Sequence, residues 1–241
     1  MTTASKKSRS LLAVAAAFIL GIAGPAYAQF GNRQPTDHPV FEGLLPEGFT
    51  VQEAPLDSTA FAGRKLVLVP SANFNAFTDT WVRAYDPERR NWAMVVMGFD
   101  ADDMSSQRAA SDPRSFSDRV AAALQPYFGS VEAAPDLATA REMGADYYAV
   151  IDLWGAFSPM GGRYRTHGGV HMLDGQLRQI LVATGRGDVR RQEGSVFDNL
   201  RTGFRAEVDA TGRTMADGIN ATATPVLTTL IERLRAPPAT E

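Results

Sequence analysis

The chain has 241 residues, 44% of them hydrophobic, a net charge of −3 and no cysteine. The lack of cysteine excludes disulfides, thiol nucleophiles, thiolate metal sites, haem attachment through Cys-x-x-Cys-His and the lipidated cysteine of a bacterial lipoprotein anchor. The mildly acidic balance argues against a dedicated nucleic-acid binder.

Lys6, Lys7 and Arg9 precede an apolar run, Leu11–Ile22, that leads to Pro25-Ala26-Tyr27-Ala28. A basic start, an apolar segment shorter than the roughly 20 residues of a membrane-spanning helix, and small side chains at 26 and 28 make residues 1–28 a secretory signal peptide. Cleavage is expected after Ala28, and loss of its three basic residues takes the net charge to −6. Export without disulfides suits a bacterial periplasm and a chain stabilised by its apolar core, with no transmembrane helix and no lipid anchor in the exported part.

Residues 29–63 carry scattered Pro and Gly without periodicity and read as an irregular lead that wraps the domain or is partly disordered. The domain is expected over 64–236, followed by a frayed tail at 237–241. Lys65–Pro70 is a nearly continuous apolar run, suited to a strand buried on both faces. Thr80–Tyr85 and Trp92–Phe99 are the next strand candidates, joined by a turn at Asp86-Pro87.

Asp112-Pro113 announces a helix striped by Phe116, Val120 and Leu124 and ended by Pro126. A short strand near Phe128–Ala133 leads to a helix over Leu137–Met143, capped by Asp136 and stopped by Gly144. Tyr147–Phe157 is apolar on both alternating rows except at Asp152, as expected of the central strand. Tyr164–Leu173 and Gln176–Arg186 flank Asp174-Gly175, read as a two-residue hairpin turn. A helical pattern from Phe204 to Leu234 closes the chain, broken or kinked at Pro225. The fold class is α/β: a single three-layer domain, with a central mixed sheet, a C-terminal β-hairpin and helices packed on its faces.

A two-residue turn sets Leu173 opposite Gln176, His171 opposite Arg178 and His167 opposite Val182. Tyr164, Val170, Met172, Leu177 and Leu181 then face the core. Arg163, Arg165, His167, His171, Arg178 and Arg186 form a cationic ribbon that strengthens below about pH 6.5 and suits an acidic partner, an anionic glycan or a lipid headgroup. A solvated strand face, or one neutralised by acidic residues of a covering helix, accounts for the same pattern.

His167 and His171 lie about 13 Å apart along an extended strand, too far to share one ion, so no metal and no cofactor is expected. Asp152, if buried alone in a cleft, could act as a general acid or base; pairing with a hairpin arginine or placement at an exposed strand end are the alternatives. Phe74, Phe77 and Trp81, with Tyr85 and Trp92, form either an aromatic contact surface or a segment packed onto the core. The acidic group Asp100, Asp102 and Asp103 lacks the ligand order of a calcium loop. Ser71-Ala72-Asn73 matches one fragment of the penicillin-recognising enzymes without their Ser-x-x-Lys or Lys-Thr-Gly, and neither Gly-x-Ser-x-Gly nor a complete nucleotide fingerprint is present.

The order strand, helix, strand, helix, then Gly144-Ala145-Asp146-Tyr147-Tyr148-Ala149-Val150-Ile151 running into Leu173-Asp174-Gly175 and a terminal helix resembles a group of envelope domains. These are the small α/β domains of the curli-secretion lipoprotein, the TolB N-terminal domain and the penicillin-binding-protein activator lipoproteins. The resemblance covers roughly residues 65–235. It implies a binding or assembly protein with no catalytic residues to carry over. Two departures stand against it: the lipid-bearing cysteine is missing, and 71–99 is an aromatic-rich addition.

The expected function is that of a non-enzymatic periplasmic binding or accessory protein of an envelope assembly or transport system, with an envelope protein or complex as partner. A hydrolase with a site near Asp152 and the hairpin histidines is the alternative, and a homo-oligomeric structural subunit is the third reading.

Overall fold

The apolar run Lys65–Pro70 forms the first strand, β1, and its side chains are buried from Leu66 through Val69. The computed structural model describes residues 39–84, 109, 111–158, 163–190 and 204–235, with side chains left out at 83, 84, 157, 158 and 204–211. After β1 come α1 (Ala72–Ala84), α2 (Arg114–Leu124), β2 (Ser130–Ala133), α3 (Leu137–Glu142), β3 (Tyr147–Ser158), β4 (Arg163–Asp174), β5 (Gln179–Arg190) and α4 (Phe204–Arg235). The strand order is β2-β1-β3-β4-β5. β1 runs parallel to both its neighbours, whereas β4 is antiparallel to β3 and to β5.

Strand alternation sorts the core into two layers. Leu66, Leu68, Ala149, Ile151, Leu153, Val170 and Met172 face α2 and α4, which bring Phe116, Val120, Leu124, Ile219, Val226 and Leu230. Val67, Val69, Tyr148, Val150 and Leu173 face the other way, onto Leu137 and Ala140 of α3 and onto Val40, Phe41, Leu44, Leu45 and Val51 of the lead. Each such fully buried aliphatic side chain contributes about 1.5–3 kcal/mol. The expected three-layer α/β domain with a mixed sheet and a C-terminal hairpin is therefore the observed one.

Local signals that end in a specific hydrogen bond hold. The Asp136 carboxylate accepts from the Thr139 N–H at 2.7 Å to open α3, and Gly144 follows it at φ 71°. Asp112 accepts from the Arg114 N–H at 2.9 Å at the start of α2. Of the segment expected as a strand at Thr80–Tyr85, the described residues, 80–84, instead form the last part of α1. Its aromatic and β-branched residues suit a strand locally, but Phe74, Phe77 and Trp81 recur at helical spacing and are all buried. The strand expected at Trp92–Phe99 lies outside the described residues.

The hairpin register also differs from expectation. His171 pairs with Val182 and His167 with Arg186, and β5 starts at Gln179. Asp174 Oδ1 accepts from the N–H groups of Gln176 and Arg178, and Leu177 adopts φ 63°, so the loop is longer than a two-residue turn. From Met172 back along β4 the slip is four residues, so the facing rows keep their parity, and an irregularity between Met172 and Leu173 takes up the odd residue. Pro225 lies inside α4 and does not end it.

α4 lies unusually close to the hairpin. A Cβ at Gly185 would overlap the Thr222 carbonyl oxygen, and one at Gly187 would lie 2.6 Å from the Gly218 carbonyl oxygen. Only glycine permits that approach. Thr166 Oγ1 fastens it by donating to the Gly218 carbonyl at 2.8 Å, with Thr222 Oγ1 2.5 Å away.

Candidate functional site

Because Pro70 pairs with Ile151, the residue after β1 falls level with Asp152 on β3. The Ser71 N–H donates to the Ile151 carbonyl at 2.9 Å. Ser71 is also the N-cap of α1: its Oγ accepts from the Phe74 N–H at 3.0 Å and its carbonyl from the Asn75 N–H at 3.0 Å. Ser71 Oγ then donates to Asp152 Oδ1 at 2.5 Å, and Asn73 Nδ2 donates to the same oxygen at 3.1 Å. Asp152 is 2% exposed and Ser71 0%. The carboxylate thus sits at the positive end of α1, just past the carboxyl end of β1 and midway along β3.

The sequence favours an arginine partner for Asp152. The structure gives it two neutral donors, and no ion pair reaches it among the described residues. Its opposite residue on β4 is Gly169, which brings no side chain, so His167 and His171 flank it diagonally. His171 Nδ1 lies 3.3 Å from Gln179 Oε1. His167 Nδ1 is buried without a hydrogen-bond partner among the described residues.

Burial holds both imidazoles below their ordinary value of 6.5. At His171 it outweighs the Gln179 bond and Asp152, which favour the proton, while His167 adds to the lowering. At His167 it outweighs Asp152, and Arg186 adds to the lowering. The histidines therefore take up their protons below the ordinary imidazole range, and not around 6.5.

Arg163, Arg165, His167 and His171 share one face of β4, and the register sets Arg186 opposite His167. Arg178 is not among them: it stands in the turn and pairs with Asp174 at 2.7 Å. Asp188 holds Arg163 through two contacts of 2.9 and 2.7 Å and approaches Arg165 at 3.8 Å. The Arg165 side chain is still 61% exposed, and Arg186 is exposed with no ion pair among the described residues.

Phe74, Phe77 and Trp81 are core residues, not an outward platform. Trp81 Nε1 donates to Ser111 Oγ at 3.2 Å, and the Arg114 guanidinium lies 5.5 Å from its ring centre. Tyr85, Trp92 and the acidic group at 100–103 lie outside the described residues. Among the described residues no group of three or more His, Asp or Glu side chains is placed to hold a metal ion, and no helix is long and apolar enough to cross a membrane. Sequence reasoning missed Asn73, Gln179 and Phe41 as members of this neighbourhood. The spacing of Ser71 and Asn73 ahead of an amphipathic helix was the available signal for a polar cap.

No known family matches the chain, and no curated protein does. Distant structural similarity is found to the PelC dodecamer from Paraburkholderia phytofirmans: TM-score 0.31 and 16% identity, over 70% of this chain and 94% of that one. A single-substitution form of the same dodecamer gives TM-score 0.31 and 15% identity, over 66% and 92%.

Proposed function

We propose that the chain is an exported accessory module of the cell envelope that works by binding, with the outer half of the second sheet face as its contact surface. One observation carries this reading. Beyond Asp152, α4 closes one side of the β4–β5 hairpin at backbone distance, while the other side presents Arg165, Thr184, Arg186 and Asp188 to solvent. The leader pattern at 1–28 supports export.

The hydrolase reading is weaker because the hydroxyl nearest Asp152 is committed. Ser71 Oγ caps α1, donates to the carboxylate and is shut away from solvent. An acidic protein surface is the partner chemistry that Arg165 and Arg186 fit best.

The test is crosslinking and capture from periplasmic extract with the chain and its Arg165→Glu/Arg186→Glu variant. The double variant is expected to lose partner capture by about tenfold or more while its unfolding midpoint is retained. Undiminished capture removes this surface from the reading. Recovery of only the chain itself replaces the accessory role with that of a self-assembling subunit.

A further inference from the structure

The lead is tied to the sheet at one residue that also holds an imidazole. The Gln179 N–H donates to the Gln52 carbonyl at 2.7 Å, and the Gln179 carbonyl accepts from the Ala54 N–H at 2.9 Å. The side chain of the same residue meets His171 Nδ1. Phe41 of the lead also packs on His171, edge to face, with ring centres 5.5 Å apart. Between these two fixings, Val40, Leu44, Leu45 and Val51 cover Val67, Val69, Tyr148, Val150 and Leu173.

We infer that residues 39–54 form a proton-released strap, held closed over the second face by neutral His171 and loosened when that imidazole takes up a proton. Among the described residues, the charged groups whose fields reach His171 are Asp152 on β3, which favours the proton, and His167 on β4, which opposes it. β5 contributes the uncharged Gln179, whose side-chain bond also favours the proton, and Val182, and the lead contributes Phe41.

The direction of release follows from linkage. The imidazole is held below 6.5 while covered, mainly by burial, and rises toward that value when the strap lifts and water reaches it. The closed state has its full advantage above the open-state value and loses it as pH falls from there through the lower closed-state value. Acid therefore favours the open form, by up to tenfold for each unit separating the two values. Lifting exposes the Tyr148, Val150 and Leu173 side chains, so release would also uncover apolar surface.

The test is amide exchange of the purified chain at about pH 7.5 and about pH 5, corrected for the intrinsic pH dependence of exchange. Protection at Ala54 and across 40–52 is expected to fall severalfold in acid while the β1 and β3 amides hold theirs. In His171→Gln the loss is expected to vanish, and in His167→Gln it is expected to persist. Flat protection in the unaltered chain overturns the inference, as does an undiminished acid response in His171→Gln.

Discussion

The two faces of the β4–β5 hairpin are built from alternate residues of the same strands, yet they answer to opposite demands. On the α4 side stand Tyr164, Thr166, Gly185 and Gly187, where helix and strand backbones nearly touch. On the other side Arg163, Arg165, His167 and Arg186 stand in a row, with Arg165 and Arg186 exposed and Arg163 and His167 half-buried. The comparison shows that a charged row in a strand is informative only once its reverse side is known. Small residues at 185 and 187 mark where a helix must lie, so they leave the opposite face as the free one.

Substitutions can break or sharpen this contrast. The largest effect is expected at Gly185→Ala, whose new methyl group would strike the Thr222 carbonyl; a loss of about 3 kcal/mol in denaturant unfolding is the expected outcome. A cost under about 0.5 kcal/mol would show that α4 can retreat without penalty.

Asp152→Ala comes next, because it removes the buried acceptor shared by the Ser71 hydroxyl and the Asn73 amide; about 2 kcal/mol should be lost. Asp152→Asn keeps an acceptor oxygen and should lose less than half as much. Equal losses from the two would mean that charge, and not hydrogen-bond acceptance, holds the α1 cap.

The smallest effect is expected on the open face, where Thr184→Ala and Arg186→Ala should each stay within about 0.5 kcal/mol of the parent by thermal unfolding. A larger loss at either position would mean that the face is structural and not free for a partner.

The parts of the fold that can be read in advance are those written in adjacent residues. Lys65–Pro70 and Tyr147–Phe157 announce two-sided burial by having no polar row, and Asp136 and Gly144 bracket a helix by local hydrogen bonding. Thr80–Tyr85 misleads because strand propensity is a weak local preference, overridden here by the burial of Phe74, Phe77 and Trp81 on one helical stripe. The Asp174-Gly175 turn misleads because Asp174 uses its carboxylate to gather the Gln176 and Arg178 amides, which lengthens the loop and moves β5 along β4.

The surroundings of Asp152 are out of reach for a different reason. Its donors lie 81 and 79 positions away and are delivered by a parallel strand pairing that no local pattern encodes. The row Arg163, Arg165, His167 and Arg186 survives the register error because alternation depends only on parity, whereas Arg178 falls out of it once the turn grows.

The contact between α4 and the hairpin also bears on how an encounter at the open face would be driven. A 32-residue helix lies against the backs of Gly185 and Gly187, so the backbone that carries Arg165 and Arg186 is already rigid before any ligand arrives. Docking there would need to order only guanidinium rotamers and not a loop, a cost of about 0.5–1.5 kcal/mol for each side chain immobilised. Such a pre-set surface favours fast, salt-sensitive association over slow induced fit.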